Sequence, residues 1–366
     1  MKNTDFIKKI NSGKIRRLSV TAGLLLFTAC MLSGCAMGGA TGSATVKGDE
    51  ALEAGEYENA KACFEEAVQN NEDQLLANRG LGIACIGLAE YEDAVEAFKT
   101  AISYADEKQP ENIKDIKLYM ATAYYRMGSY DEVISTCNEI LDENEDVGAD
   151  TYFLRGAAYL YEGQQSEAGS DFSAAAALSP EDYDLYLNIY ECYNDMNLSG
   201  LGSQYLQDAL NISGDDMEYY YNQGRVYYYL ENYEEAQKML ISPVENGYEP
   251  AMYLIGRVYM ALGDEDHAMA VYQQLLDEKG EDAQALNGLA LCALEDEDYN
   301  AALDYIARGI AVGEGDALRQ LYFNEIIVYE RMEDYAAARD KAEIYVQTYP
   351  TDESGQKEYT FLSTRS

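Results

Sequence analysis

Apolar residues recur along this chain at spacings of three and four, the interval that places side chains on one face of a helix. Tyr57, Ala60 and Phe64 set the phrase, and Tyr91, Ala94 and Phe98 repeat it. The position held by Ala60 and Ala94 recurs at Val133, Ala168, Gly202, Ala236, Ala268, Ala302 and Ala338. Successive separations are 34, 39, 35, 34, 34, 32, 34 and 36. A second phrase precedes it in most copies: a bulky residue, a small one four later, a large one three after that. Tyr152, Gly156 and Tyr159 give one example; Tyr220, Gly224 and Tyr227 another; Met252, Gly256 and Tyr259 a third. The small residue lets two helices approach with no side chain between them. Helical spacing in nine copies predicts an all-α chain with almost no β structure. Pro110, Pro180, Pro250 and Pro350 fall between or at the starts of these pairs, where a proline ends one helix or opens the next.

A period near 34 with this pattern resembles the tetratricopeptide repeat (TPR), in nine in-phase copies over about residues 41–350. The resemblance implies a right-handed superhelical solenoid of about nine hairpins. One hairpin cannot bury enough apolar surface alone, and stacking covers the face each presents to the next. The expectation is one elongated solenoid over 48–350, followed by a tail or partial cap at 351–366 around Tyr359, Phe361 and Leu362. Departures from the pattern carry their own expectations. Tyr190 and Ile326 stand at the small position, so their hairpins should splay or shift slightly. Pro243 should end its helix early, and the Asn246-Gly247 turn beyond it resembles a Sel1-like repeat over 243–259. The 39-residue spacing implies longer helices or a longer loop near Ser103–Asn112. Thr45 to Gly48 make a poor opening helix.

The first 34 residues read differently. Lys2, Lys8, Lys9, Lys14, Arg16 and Arg17 face a single acid, Asp5, and an apolar stretch from Leu18 to Leu32 follows. That order is a secretory signal, and the stretch is too short and interrupted for a stable membrane span. It ends in Leu32-Ser33-Gly34-Cys35, which resembles the lipobox of bacterial lipoproteins. The resemblance implies cleavage after Gly34, acylation of Cys35 and an anchor on the extracytoplasmic side of the cell membrane. Residues 36–47, small and Gly-rich, suit a flexible tether after the lipidated Cys.

Lys and Arg number 26 against 66 Asp and Glu, a formal charge of −40. Phosphate backbones need cations to neutralise them, so nucleic acid is excluded as a partner. One His and no Trp leave little for His-based chemistry. Cys63, Cys85, Cys137, Cys192 and Cys292 form no C-x-x-C, and their phase puts them at apolar or semi-buried helix positions. The acidic run Asp142–Asp146 lacks a calcium loop's turn glycine (Val147) and its closing acid (Phe153). Gly200-Leu201-Gly202 follows no strand, and Tyr205 holds the last required glycine position. No metal, cofactor or enzymatic activity is expected.

In the family resembled, the first helix of each repeat lines the inner wall, with ligand contacts at positions 2, 5, 9, 12 and 13 when the small residue is 8. That phase selects Tyr125, Arg126, Phe153, Tyr161, Tyr221, Arg225, Tyr228, Tyr229, Tyr253 and Arg257, and further Met260, Phe323 and Arg331. Sixteen of the 34 Tyr fall instead at packing positions, so aromatic content alone makes no surface. An aromatic wall with guanidinium forks suits carboxylate-bearing protein or peptide partners. The expectation is a lipid-anchored extracytoplasmic adapter holding a protein or peptide partner in this groove. Two alternatives stand beside it: a cell-wall glycan or muropeptide binder, since Tyr stacks on sugar faces, and an accessory subunit of an envelope or secretion complex.

Overall fold

The computed structural model describes residues 42–105, 110–143, 147–350 and 352–365. The lipobox, the signal segment and most of the tether lie outside the described residues, as does Asn144–Asp146 of the acidic run. Among the described residues there is no strand. Nine helical pairs follow one another, joined by turns too short for anything but antiparallel packing. They are α1 (Ala44–Glu53) with α2 (Tyr57–Gln69), α3 (Gln74–Gly87) with α4 (Tyr91–Ser103), and α5 (Pro110–Met127) with α6 (Tyr130–Glu143). Next come α7 (Ala149–Tyr161) with α8 (Gln165–Leu178), α9 (Tyr183–Asp195) with α10 (Ser199–Ala209), and α11 (Met217–Tyr229) with α12 (Tyr233–Glu245). The last are α13 (Glu249–Leu262) with α14 (Glu265–Lys279), α15 (Ala283–Glu295) with α16 (Tyr299–Val312), and α17 (Gly315–Arg331) with α18 (Tyr335–Thr348). A single helix, α19 (Glu353–Ser363), follows. The hairpins fall into two compact units that divide within α10, one ending at Tyr205 and the other beginning at Leu206. Each is a stack of hairpins in its own right.

Inside a hairpin the small residue of the first helix faces a large one of the second. A Cβ on Gly48 would lie 2.7 Å from Phe64, on Gly82 2.5 Å from Phe98, on Gly224 2.7 Å from Leu240 and on Gly256 2.5 Å from Tyr272. Phe64, Phe98 and Leu240 are fully buried and Tyr272 is nearly so. Close packing leaves no room for one more carbon, so the pair's combined volume is what matters. The two departures obey the same rule. Opposite Tyr190 stands Gly202, where a Cβ would lie 3.1 Å from the Tyr190 Cα. Opposite the fully buried Ile326 stand Ala338 and Ala342 in one apolar cluster. The small partner has moved to the other helix.

Every hairpin turn has one left-handed residue. These are Gly55, Ala89, Gly128, Gly163, Asn197, Glu231, Gly263, Glu297 and Glu333, with φ between 57° and 76°. Aspartates cap many of the helices that follow. Asp73, Asp182, Asp216, Asp282, Asp298, Asp334 and Asp352 each accept from the backbone N–H three residues on.

Two further expectations change, and one on helix length holds. The opening helix forms from Ala44: Ser43 caps it, and the Glu72 carboxylate accepts from the Ala44 and Thr45 N–H groups and the Thr45 hydroxyl. Tertiary contact outweighs poor local propensity there. Helix α12 runs through Pro243 to Glu245 instead of ending early. Pro243 lies in the last turn, so only one intrahelical bond is lost, and its carbonyl accepts from the Tyr248 N–H at 2.9 Å to close the turn. The 39-residue spacing is taken up in part by α5, which is 18 residues long. At the other end α19 buries Leu362, and Asp352 accepts from the Tyr345 hydroxyl at 3.0 Å.

Candidate functional site

In the unit beginning at Leu206, the first helices α13, α15 and α17 enclose a cavity of about 210 Å³. Its lining follows the inner-wall phase. Tyr253 and Arg257 come from positions 5 and 9 of α13; Gln284, Asn287 and Leu291 from positions 2, 5 and 9 of α15; Gln320 and Phe323 from positions 2 and 5 of α17. Gly288 and Tyr272 also line it, and the ring packs so closely on Gly288 that a Cβ there would lie 2.4 Å from it.

Polar groups here are ordered by one another. The buried Asn324 donates its Nδ2 to Asn287 Oδ1 at 2.7 Å, and Asn287 Nδ2 donates to Gln320 Oε1 at 3.3 Å. The run begins at an amide carbonyl and ends at an amide nitrogen, both on cavity-lining residues. Arg319 is tied to Asp352 at 2.9 Å and to Asp316 at 3.3 Å. Arg257 is held differently. Its guanidinium lies 4.6 Å from the centre of the Tyr228 ring and donates to the Tyr228 hydroxyl at 3.0 Å. Among the described residues Arg257 forms no ion pair, although acids outnumber bases 66 to 26 in this chain. A guanidinium keeps its charge at any physiological pH, so positive charge faces the cavity.

Four more of the expected set, Tyr221, Arg225, Tyr228 and Tyr229, stand on α11. Arg225 lies 5.6 Å above the Tyr221 ring and donates to Asn222 Oδ1 at 2.9 Å. Tyr221 meets Tyr248 edge-on at 5.4 Å, and Tyr229 meets Tyr228 at 6.0 Å. Tyr221, Arg225 and Tyr229 are half-buried, whereas Tyr228 is only 9% exposed and serves as backing for Arg257. Tyr253 also carries Lys279, whose Nζ sits 5.7 Å from the ring and bonds Glu249 at 2.6 Å.

The other unit arranges its share separately. Tyr125 is 7% exposed and packs edge-on against Tyr130 and Tyr161, which stack on each other at 4.8 Å and 7°. The Tyr161 hydroxyl donates to Asp195 Oδ2 at 3.0 Å; burial and that carboxylate hold the phenol protonated far above its ordinary range. Phe153 is 5% exposed, 6.0 Å from Phe172 in the core. Tyr125 and Phe153 therefore form the floor of the repeat instead of projecting from it. Arg126 is half-buried. Gln284, Asn287 and Gln320 stand at inner-wall positions but are amides, neither aromatic nor guanidinium, and Arg319 and Asn324 fall outside those positions, so none was singled out by sequence. The signal was present: amides at positions 2 and 5 of α15, an otherwise apolar helix.

Cys85, Cys137, Cys192 and Cys292 are buried free thiols, and Cys63 is half-buried. His267 is exposed, with Nδ1 2.8 Å from both Asp264 oxygens and its ring stacked on Tyr259. Among the described residues no group of three or more His, Cys, Asp or Glu is placed to hold a metal ion. None of their helices is long and apolar enough to cross a membrane.

The family model described as Tetratricopeptide repeat matches residues 45–112, 221–281 and 253–317. Tetratricopeptide repeats are thus found over 45–112 and 221–317 of this chain. A human relative, Tetratricopeptide repeat protein 16, is 28% identical over 138 residues, which is 35% of this chain and 15% of that protein's length. Among solved structures, a tetratricopeptide repeat protein from Parabacteroides merdae aligns at 14% identity and a TM-score of 0.45, covering 68% of this chain and 98% of that one. The C-terminal part of a TPR repeat-containing protein from Cytophaga hutchinsonii aligns at 19% identity and 0.38, covering 66% and 98%. Tetratricopeptide repeats are in general non-catalytic scaffolds for protein association. On this chain they supply rigid helices whose positions 2, 5 and 9 present Tyr, Arg and amide groups side by side.

Proposed function

We propose that this chain is a lipid-anchored adapter outside the cytoplasm, whose repeats capture a protein or peptide partner. One observation supports the partner-binding part: in the unit beginning at Leu206, Arg225 lies over the Tyr221 ring, Arg257 lies over the Tyr228 ring, and Tyr253 and Arg257 line one cavity. Aromatic rings give large contact area at small entropy cost, and Arg adds forked donors for carboxylates. Such anchors dominate binding energy where they are held rigid before the partner arrives. The anchor rests on the lipobox-like Leu32–Cys35 and the charge asymmetry ahead of it.

The test has two arms. A photoreactive residue at Tyr229, half-buried at the end of α11, should crosslink a defined partner in living cells. The triple change of Tyr221, Arg225 and Tyr229 to Ala should abolish capture of that partner; full capture by the folded triple variant overturns the groove. Independently, Cys35→Ser should move the protein from the membrane pellet to the soluble fraction, and an unchanged pellet overturns the anchor.

A further inference from the structure

The cavity between α13, α15 and α17 differs in kind from an open groove for an extended chain. At about 210 Å³ it is smaller than the roughly 300–1,000 Å³ of sites for drug-sized molecules, and admits one ring or one large side chain. Four of its polar groups are neutral amides, beside the charged Arg257, Arg319 and Asp316: Gln284 at the exposed mouth, Asn287 and Asn324 at the buried floor, and Gln320 between them. An amide presents a donor and an acceptor from one rigid plane. The chemical group that matches it on both counts is the hydroxyl, which also donates and accepts. Tyr253 and Phe323 supply aromatic surface beside these amides. One full charge is left to answer. Arg319 already has Asp316 and Asp352, but Arg257 has only the Tyr228 ring and hydroxyl behind it. A guanidinium so placed recognises a planar anion through parallel N–H donors. A neutral sugar would leave it unanswered, and a bare carboxylate would leave the amides unanswered.

We propose that this cavity binds a ring-sized, hydroxyl-bearing carboxylic acid, of the sugar-acid class, with its carboxylate on Arg257 and its hydroxyls on the amide run of Asn324, Asn287, Gln320 and Gln284. The site shares Tyr253 and Arg257 with the proposed partner-binding face but uses none of Tyr221, Arg225 and Tyr229, so the triple Ala variant, which should lose partner capture and keep sugar-acid binding, separates failure of one reading from failure of the other. The same chemistry occurs in a free sugar acid and in an acidic residue within a glycan.

Calorimetric titration of the full chain with D-glucuronate, D-glucose and a glucuronate-containing tetrasaccharide of hyaluronan tests it. D-Glucuronate should bind with unit stoichiometry and D-glucose roughly tenfold or more weakly. Arg257→Gln, checked for retained helicity by circular dichroism, should erase that difference. Gln284→Trp changes an exposed mouth residue and should block both sugars without touching the core. A tetrasaccharide that binds more tightly than the monosaccharide assigns a glycan-borne acid; equal or weaker binding assigns the free acid. No binding of either acid overturns the proposal, as does glucuronate binding that Gln284→Trp leaves unchanged. Binding only to a pool of random acetylated hexapeptides, with no competition by glucuronate, overturns it in favour of a peptide site.

Discussion

At the scale of single residues, stability turns on pairs whose combined volume is fixed. Gly82 and Phe98 show the constraint at its tightest, since an added Cβ would lie 2.5 Å from a fully buried ring. Gly82→Ala should cost roughly 1–3 kcal/mol by overpacking. Combined with Phe98→Leu, it should cost less than the two single changes added together, a coupling that a double-mutant cycle in urea measures. The thiols give a second expectation. Burial pushes Cys137 and Cys292 up to about 12 and Cys85 to about 11. The folded chain therefore holds these protons more tightly than the unfolded chain, whose thiols titrate near 8.5. Their stabilising contribution is complete below that pH and lost as pH rises toward 12. Thermal midpoints should fall across this range, and replacing Cys137 and Cys292 by Ala should flatten part of the fall. At neutral pH Ellman's reagent should label Cys63 well before the four buried thiols.

Helices and their turns carry costs that residue volumes do not reveal. Ala89, Glu231, Glu297 and Glu333 occupy the left-handed position that Gly55, Gly128, Gly163 and Gly263 hold in equivalent turns. A side chain with a Cβ costs about 1–2 kcal/mol there, while glycine loses more freedom on folding. The difference should leave Glu297→Gly and Ala89→Gly each about 0.5 kcal/mol more stable, seen as higher urea midpoints at unchanged slope. Conversely, Asp282→Ala removes the cap that accepts from the Ala285 N–H at 2.7 Å, and should cost about 1 kcal/mol. Much at this scale was legible in the sequence: the 34-residue period located the hairpins, and the prolines marked their ends. The opening helix and the course of α12 were not legible. Glu72 lies 28 residues from the N–H of Ala44 that it satisfies, and the tolerance of Pro243 depends on a turn closed by Tyr248.

For the molecule as a whole, an excess of 40 negative charges sets the response to salt. Ion pairs such as Arg308 with Glu281 and Lys238 with Glu235 are exposed, and each contributes little. Self-repulsion among the unmatched acids outweighs them. Adding sodium chloride from about 10 to 150 mM shortens the screening length from roughly 30 to 8 Å. The thermal midpoint should rise as a result; a fall would show that ion pairs prevail. Hairpins stabilise only their neighbours, so terminal elements have one neighbour instead of two. Amide exchange should accordingly be fastest in α1 and α19 and slowest in interior helices such as α7 and α15.

The sequence by itself determined the elements and their phase. A repeat of small, large and aromatic positions at helical spacing has one economical solution, hairpins that cover each other, and the repeat phase, read with the family resemblance, selected Tyr253 and Arg257, which line the cavity. Tertiary structure decided which side chains on that wall are open to a ligand. Tyr125, Phe153 and Tyr228 fall at inner positions yet are buried, because neighbouring helices pack over their rings. Gln284, Asn287, Gln320 and Asn324 gain their significance only from neighbouring repeats. The hydrogen bonds from Asn324 to Asn287 and from Asn287 to Gln320 span 37 and 33 residues, and such distances close only when hairpins stack.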